Sequence, residues 1–469
     1  MRLTPLLALG FCLIAAPIHA APRNVVLFVT DDQGQDAGCY GNPVIKTPNL
    51  DNLAADATRF KFAYCTTASC SPSRSVILTG LFNHANAQYG LEHGYNHFRS
   101  FEDLTSLPVL LSGAGYRTAR IGKFHVGPEN VYQFDEALPG NPRSPAEMAD
   151  NCRKVIEDES DQPFFLYFCT SDPHRGGHAN NLPHGSDSFG NKPRGELYPG
   201  VDPAHYEPAE VIVPPFLPDT PTCRAELAQY YESVSRADAG LGRLIEILKA
   251  AGKYDETLII YISDNGIPFP GAKTTVYEPG LRLPCIVRDP GAKNRGAVSE
   301  AFVSWVDIAP TILDYAGVKQ PRRAKMHGRS FLPILDQEKP NGWNEIYASH
   351  TFHEITMYYP VRVVRNGRYK LIWNLAHPLP FPFAADLWNS ATWQDSIRRG
   401  EDFVYGKRTI KALTQRPRFE LYDLESDPDE IQNLADDPQH EERLAELKQE
   451  LREFQRRTND PWLLKWDRE

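Results

Sequence analysis

The residues best suited to chemistry lie in the run from Cys70 to Gly80, which combines a cysteine, a proline and an arginine at close spacing. Pro72 favours the first turn of a helix, so Cys70 and Arg74 would lie one turn apart on the same side. The N-terminus of a helix attracts anions, and the guanidinium of Arg74 would add to that attraction. The run therefore predicts a nucleophile derived from Cys70 that acts on an anionic group. The alternative is a buried structural thiol, which is the usual role of a free cysteine.

Two pairs of oxygen-bearing side chains each follow an apolar run that has the character of a strand. They are Asp31, Asp32, Asp264 and Asn265. Four hard oxygen donors gathered at neighbouring strand ends suit Ca²⁺ or, less well, Mg²⁺, and histidine or cysteine at zinc spacing is lacking in the sequence. Either pair alone would also fit an ordinary turn or helix cap. Combined with the Cys70 run, the pairs predict a metal ion next to the nucleophile.

Cationic and imidazole side chains are supplied by several separate stretches of the chain. They are Arg74, Lys123, His125, His174 and Lys273. Taken singly, each is more often a surface charge or a hydrogen-bonded histidine. Taken together, they could neutralise the oxygens of a bound anion and donate a proton to its leaving atom.

The elements that must position these side chains follow from the hydrophobic pattern. Runs at 24–30, 163–170 and 257–262 are apolar throughout, which fits strands buried between two layers of helices. Residues 224–250 repeat their apolar positions with the period of a helix. The alternation predicts an α/β sandwich whose ligand site lies at the carboxyl ends of the strands.

A cluster of helix- and strand-breaking residues at 339–342 marks the start of a second region. Strand-like pieces follow at 360–364, 369–373 and 419–424, and a helix with one apolar stripe is predicted over 441–457. The predicted organisation is a signal peptide, a catalytic domain and a smaller α+β domain, at residues 1–20, 21–340 and 341–469.

The compartment is predicted from the N-terminus and the overall charge. Residues 1–20 combine one early charge, an apolar run and small residues at the end, which is typical of a cleaved secretory signal. We therefore expect an exported protein, periplasmic or secreted, or lysosomal in a eukaryote. No other stretch reaches the roughly 20 apolar residues that a membrane span needs. The formal net charge of -10 argues against nucleic acid or an anionic membrane as the partner.

The Cys70 run, together with the acidic pairs, resembles the formylglycine-dependent sulfatases of the alkaline-phosphatase-like superfamily. Longer stretches resemble the sulfamidase subgroup of that family, namely residues 69–74, 121–132, 164–175, 263–270, 353–362 and 419–437. The resemblance implies an α/β/α sandwich with a large mixed sheet, and a smaller C-terminal α+β domain with an antiparallel sheet. It implies a sulfated glycosaminoglycan fragment as substrate, specifically the N-sulfate of glucosamine at the non-reducing end of heparan sulfate or heparin.

The same resemblance implies a role for each candidate residue. Cys70 would be oxidised by a maturation enzyme to formylglycine (3-oxoalanine), whose hydrate attacks sulfur. The ligands of Ca²⁺ would be Asp31, Asp32, Asp264, Asn265 and the modified Cys70. The groups that bind sulfate and transfer protons would be Arg74, Lys123, His125, His174 and Lys273. The residues near the sugar would be Asp172, Arg175, His353 and Glu354.

Three positions depart from the pattern of the animal sulfamidases. Lys273 replaces an arginine, Glu278 replaces a tryptophan, and Gly176–Gly177 lacks a cysteine. Lysine is common at the first position in O-sulfatases, and an ammonium grips an anion differently from a guanidinium, so an O-sulfated sugar is an open alternative. A phosphomonoesterase or phosphonate hydrolase on the same scaffold is a second alternative. An inactive glycan-binding protein is a third, if Cys70 is not modified. The sequence leaves the oligomeric state and any disulfide pairing open.

Overall fold

A computed structural model describes four stretches of the chain, residues 23–176, 188–193, 195–320 and 325–468. The predicted signal peptide and Gly177 lie outside the described residues. Within the described stretches, no helix is both long enough and apolar enough to cross a membrane.

The largest element is a mixed sheet of eight strands. These are β1 (Asn24–Thr30), β2 (Thr58–Tyr64), β3 (Arg117–Gly122), β4 (Glu136–Leu138), β5 (Phe164–Cys169), β6 (Thr257–Ser263), β7 (Cys285–Arg288) and β8 (Ala297–Ser304). The order across the sheet is β4-β3-β5-β1-β6-β7-β2-β8. Strand β7 runs antiparallel to β6 and β2, whereas the other neighbouring pairs are parallel.

Helices cover both faces of this sheet. The helices of the chain are α1 (Pro48–Ala55), α2 (Cys70–Thr79), α3 (Asn83–Asn86), α4 (Leu107–Gly113), α5 (Pro145–Asn151), α6 (Arg153–Ile156), α7 (Pro221–Ala250), α8 (Glu278–Leu281), α9 (Ile308–Tyr315), α10 (Ala385–Trp388), α11 (Ala391–Ile397), α12 (Ile410–Thr414) and α13 (Glu441–Thr458). Alternate residues of β1 enter two different apolar clusters, because successive side chains of a strand point to opposite faces. Val26 and Phe28 pack with α1, α5 and α7. Val25 and Leu27 belong to the cluster that contains α2, α4 and α9.

Helix α7 begins three residues earlier than its apolar period predicts. Pro221 occupies the first turn, where its missing N–H costs nothing. The hydroxyl oxygen of Thr220 accepts a hydrogen bond from the backbone N–H of Cys223 at 3.2 Å, which caps the helix. The start of α7 is therefore set by Thr220 and Pro221, which precede the first apolar position of the helix.

A second, antiparallel sheet lies in the C-terminal part of the chain. Its strands are β9 (Glu345–His350), β10 (Val361–Asn366), β11 (Tyr369–Asn374) and β14 (Phe419–Asp423), in the order β14-β11-β10-β9, and a short hairpin of β12 (Val404–Tyr405) and β13 (Arg408–Thr409) stands apart. Helix α13 buries Leu447, Leu451 and Phe454 in the same apolar cluster as β10 and β11. The predicted fold class, a large mixed sheet between helices plus a smaller antiparallel α+β region, is confirmed. The predicted boundary at residue 340 stays a prediction.

The two sheets are joined by a buried network of charges around Glu278. Its carboxylate accepts hydrogen bonds from Arg365 at 2.7 Å and from Lys370 at 3.3 Å, both on strands of the smaller sheet. Lys370 also pairs with Glu430 at 2.7 Å. The backbone N–H of Glu278 donates to Glu430 at 2.7 Å. Glu278 is one of the positions that depart from the animal sulfamidases, and the structure gives it a role in holding the smaller sheet against the catalytic one.

Another buried ion pair ties β10 to the C-terminal segment and generates a stability prediction. Arg362 donates to both carboxylate oxygens of Asp460, at 2.6 and 3.0 Å, and both side chains are almost completely buried. Asp460→Ala leaves the guanidinium without its charge partner, which should lower the free energy of unfolding by about 3–5 kcal/mol. Urea unfolding followed by circular dichroism measures the loss.

The matched control for Asp460→Ala is Glu446→Ala on α13. Glu446 pairs with Arg443 at 2.8 Å, and both side chains are well exposed. Exposed pairs contribute about 1 kcal/mol or less, so this variant should unfold close to the wild type. Equal losses for the two variants would contradict the importance of the buried pair.

Candidate active site

Four neighbouring strands deliver the predicted site residues to one edge of the large sheet. Strands β3, β5, β1 and β6 are adjacent and parallel, so their carboxyl ends lie side by side. Lys123 follows β3, His174 follows β5, and the two acidic pairs follow β1 and β6. Thr30 pairs with Ser263 at the end of the ladder, which places the residues after β1 beside those after β6.

The acidic pairs form one buried centre. The backbone N–H of Asp32 donates to Asp264 Oδ1 at 3.0 Å, and the side-chain amide of Asn265 donates to Asp32 Oδ1 at 2.6 Å. The side chains of Asp31, Asp32, Asp264 and Asn265 are fully buried. The structure therefore brings together the four predicted metal ligands that follow β1 and β6.

Three cationic side chains compensate this negative charge. Arg74 donates from Nε to Asp264 at 2.8 Å, and its Nη2 lies 3.6 Å from Asp31. Lys123 donates to Asp31 at 2.5 Å, and Lys273 donates to Asp32 at 2.9 Å. Burial alone would raise the pKa of Asp31, but Lys123, His174 and Arg74 hold that pKa well below its usual range.

The same pairing keeps the lysines charged. Burial alone would lower the pKa of Lys273, but Asp32 and a second carboxylate, Asp386, raise that pKa well above its usual value. The pKa of Lys123 is likewise raised, by Asp31 above all, against the effect of burial. Both ammonium groups are therefore positive at neutral pH.

The oxygen donors fit a hard divalent cation. Asp31 Oδ1 and Asn265 Oδ1 are buried, and neither has a hydrogen-bond partner among the described residues. Single donor atoms of Asp31, Asp264 and Cys70 lie within 4.8 Å of one another. Unpaired buried oxygens next to carboxylates are what Ca²⁺ requires, since it takes several oxygen ligands in a flexible geometry.

Cys70 begins α2 and lies against this centre. Its Sγ donates to Asp32 Oδ1 at 3.9 Å, and the side chain is 1 % exposed. Burial raises the pKa of the Cys70 thiol well above its usual value. The unmodified side chain is therefore a protonated thiol at neutral pH, which is a poor nucleophile.

Strained backbone surrounds the site. Asp32, His125 and Thr274 have φ angles of 67°, 58° and 64°, in the left-handed region that favours glycine. For Thr274, which follows Lys273, the branched side chain makes this conformation costly. The N–H of Thr274 donates to the carbonyl of Ala68 at 2.8 Å, which fixes Lys273 next to the loop before Cys70.

Two residues predicted to contact the sugar have other partners in the structure. Asp172 is fully buried and accepts from Arg236 at 2.7 Å and from Arg143 at 2.9 Å. Arg175 pairs with Glu226 at 2.6 Å and stacks on two aromatic rings. The structure does not bring either side chain to the opening of the site. Both instead hold the loop that carries His174, and a contact of Asp172 or Arg175 with the sugar stays a prediction.

The other two predicted sugar residues lie closer to the site. His353 is buried, and its Nδ1 is 2.8 Å from the hydroxyl of Ser69, directly before Cys70. Burial and Lys273 lower the pKa of His353 well below its usual value, so the ring is neutral. Glu354 is partly exposed and accepts a hydrogen bond from the backbone N–H of Ala385 at 2.9 Å.

Two site residues were missed by sequence reasoning. Asp386 on α10 accepts from Lys273 at 2.7 Å and lies 3.9 Å from His174 Nε2. His93, which is exposed, contacts His125 through their ring nitrogens. Neither residue belongs to a recognisable motif. The nearest feature in the sequence is the proline-rich segment 378–382, which leads into α10.

Comparison with known proteins identifies the class to which this fold and site belong. Residues 23–318 match the family model described as Sulfatase, and residues 272–379 match the model described as N-sulphoglucosamine sulphohydrolase, C-terminal. The chain belongs to the sulfatase family. The resemblance seen in the Cys70 run is thereby confirmed at the level of the family.

Two individual relatives and one solved structure are similar to this chain over most of its length. The N-sulphoglucosamine sulphohydrolase of Homo sapiens is 42% identical, over 98% of this chain and 93% of its own length. An ulvan-active sulfatase of Formosa agariphila is 31% identical, over 89% of this chain and 76% of its own. A solved structure in complex with its substrate, D-glucosamine-2-N,6-O-disulfate, has a TM-score of 0.66 at 24% identity, covering 94% of this chain and 99% of that one.

The acidic centre generates a metal-binding prediction. Asp32→Asn removes one negative charge while keeping the shape of the side chain, and it should lower activity by roughly 100-fold or more, because metal ligands control both affinity and catalysis. Calorimetric titration with Ca²⁺ should show weaker binding. Chelation of the wild type should abolish activity, and added Ca²⁺ should restore it.

The matched control for Asp32→Asn is Asp314→Asn, an identical change at an exposed position on α9. It should leave both Ca²⁺ binding and activity unchanged. Full activity of the wild type after exhaustive chelation would contradict the metal site.

Proposed function

We propose that this protein is an exported sulfohydrolase that removes the N-sulfate of non-reducing-end glucosamine from heparan sulfate or heparin fragments. The observation that carries the proposal is the convergence of Cys70, four oxygen donors and two charged lysines at adjacent strand ends. Such an arrangement suits a sulfate group, whose oxygens need positive charge on several sides. Identity of 42% with a human N-sulphoglucosamine sulphohydrolase over almost the whole chain supports the choice of substrate.

Two groups that the chain acquires would complete the site. Ca²⁺ held by the acidic centre supplies positive charge that polarises sulfate and favours ionisation of a bound hydroxyl. Formylglycine at Cys70 supplies, in its hydrated form, one hydroxyl to attack sulfur and a second to assist release of sulfate. A formylglycine-generating maturation enzyme is the partner that this proposal requires.

The cationic side chains of the chain itself bind and orient the sulfate. Lys123 and Lys273 now pair with Asp31 and Asp32. If a cation took over the neutralisation of these carboxylates, the two ammonium groups would be available to donate to sulfate oxygens from two sides. Arg74 is too deeply buried to move and keeps Asp264 and the start of α2 in place.

Proton transfer falls to a histidine at the opening. His174 is 25% exposed, and its Nε2 lies between Asp32 and Asp386, at 3.7 and 3.9 Å. Its Nδ1 donates to the carbonyl oxygen of Arg175, so Nε2 carries a proton only in the imidazolium form, and burial and Lys273 lower the pKa of that form. From the imidazolium form, Nε2 would donate a proton to the atom that leaves sulfur. The S–N bond breaks, the electron pair stays on nitrogen, and the proton from His174 completes the amine.

An O-sulfated sugar is the second candidate substrate. The observation that favours it is Lys273, a lysine where the animal sulfamidases carry arginine. A compact ammonium makes fewer directed hydrogen bonds than a guanidinium, so it constrains the sulfate less. The substrate experiment below separates the two candidates.

The proposed nucleophile generates a prediction about Cys70. Active protein should carry formylglycine at this position, detected by peptide mass spectrometry as a residue lighter than cysteine. Cys70→Ala should abolish turnover and keep the fold, since the residue begins a helix and alanine is a good helix former. Circular dichroism checks the fold.

Cys152→Ala is the matched control for Cys70→Ala. Cys152 is a buried thiol in the other apolar cluster, away from the acidic centre. This variant should keep its activity and its modified Cys70. Fully active wild type with an unmodified Cys70 would rule out the proposed chemistry.

Substrate preference generates the next prediction. Glucosamine N-sulfate should be hydrolysed to free amine and sulfate with a higher kcat/KM than N-acetylglucosamine 6-sulfate or an aryl sulfate. Sulfate release is measured for each compound, with the Cys70→Ala protein as the background. Preference for the 6-O-sulfated sugar would reject N-sulfate as the substrate and leave sulfatase activity standing.

A further inference from the structure

Asp386 is a negatively charged side chain at the opening of a site built to hold an anion. It is 22% exposed, whereas Asp32 and Lys273 are completely buried. Burial alone would raise the pKa of Asp386, but Lys273 above all lowers that pKa, so the carboxylate is ionised. A carboxylate that faced the sulfate group directly would weaken the binding of sulfate. Asp386 must therefore have another role.

The position of Asp386 relates it to the leaving atom. Its Oδ2 lies 2.7 Å from Lys273 Nζ and 3.9 Å from His174 Nε2. The leaving atom must come within hydrogen-bond reach of His174 to receive a proton. An atom at that position can also lie within hydrogen-bond reach of the Asp386 carboxylate.

The two candidate substrates differ at that atom. The bridging nitrogen of a sulfamate carries one hydrogen, which a carboxylate can accept, and one electron pair, which His174 protonates. The bridging oxygen of a sulfate ester carries electron pairs alone, and a carboxylate next to them is repulsive. A carboxylate at this place therefore favours nitrogen over oxygen as the bridging atom.

We propose that Asp386 determines specificity by accepting the N–H of the sulfamate group. The inference rests on the proposed N-sulfatase function and names the residue that selects the N-sulfated substrate. The backbone supports this placement: Glu354 accepts from the N–H of Ala385 at 2.9 Å and so anchors the start of α10. A lysine at position 273, in place of arginine, is then compatible with an N-sulfated substrate, because Asp386 accepts the N–H of the sulfamate.

The test uses two sugars that differ in the bridging atom alone, glucosamine N-sulfate and glucose 2-sulfate. We expect the wild type to prefer the N-sulfate. Asp386→Asn and Asp386→Ala should lower kcat/KM for glucosamine N-sulfate by about 10- to 100-fold, the range for one hydrogen bond to a charged group. Glucose 2-sulfate should be affected little or, with asparagine as a new donor, should improve.

If one sugar is hydrolysed too slowly to measure, its affinity is obtained from its inhibition of aryl-sulfate hydrolysis. The affinities of the two sugars are then compared in place of kcat/KM. The matched control is Asp395→Asn, an identical change on the neighbouring helix α11. Asp395 pairs with Arg399 at 3.0 Å, away from the site. This variant should retain the wild-type preference between the two sugars.

The outcomes are distinct. Loss that is confined to the N-sulfated sugar supports the proposal. An equal fall for both sugars would mean that Asp386 acts only by positioning Lys273, and unchanged kcat/KM values for both sugars would mean that Asp386 contacts neither bridging atom; either result overturns the proposal. Wild-type enzyme that hydrolyses sulfate esters and not N-sulfates would instead overturn the proposed function, before any variant is made.

Discussion

The structure depends on three carboxylates, Asp31, Asp32 and Asp264, that are buried side by side. Like charges at such short range repel strongly where water is excluded, so the chain must supply positive charge at the same place. Arg74 and two lysines do so, and each comes from a different element. The pairing of these charges therefore holds the large sheet, helix α2 and the loops in one arrangement.

The large sheet makes such an arrangement possible because it is rigid on both faces. Four parallel strands end at one edge, and their backbone ladders fix the positions of the residues that follow. The strained conformations of Asp32, His125 and Thr274 can persist there, since the surrounding packing opposes their relaxation. The C-terminal region contributes His353, from the segment after β9, and Asp386, from helix α10.

Much of this could be predicted from sequence. Strands β1, β5 and β6 are apolar throughout and were located nearly to the residue, and the acidic pairs at their ends needed no more than the rule that parallel strands end together. Strands β2, β3, β7, β8 and β9 carry mixed or short patterns that depend on long-range pairing, and they were not predicted.

The site residues divide in the same way. Cys70 and the metal ligands could be proposed because local motifs carry them, although their roles in catalysis stay predictions. Asp172 and Arg175 stand beside His174 in sequence, and the resemblance to the sulfamidases implies that they lie near the sugar. Their charges turn inward to Arg236 and Glu226, which lie over 50 residues away in the chain. Asp386 shows the converse, since tertiary folding alone brings it next to Lys273.

The burial of α2 bears on the order of events in the life of the chain. Every residue from Cys70 to Thr79 is buried, and Cys70 is 1% exposed beneath the acidic centre. A small sulfate group can reach that depth, but a second protein cannot close around the segment without unfolding it. The proposed oxidation of Cys70 would therefore have to precede assembly of the sheet, while the chain is still extended. Protein that folded without this oxidation would stay inactive, and a maturation enzyme supplied later would not reach the thiol.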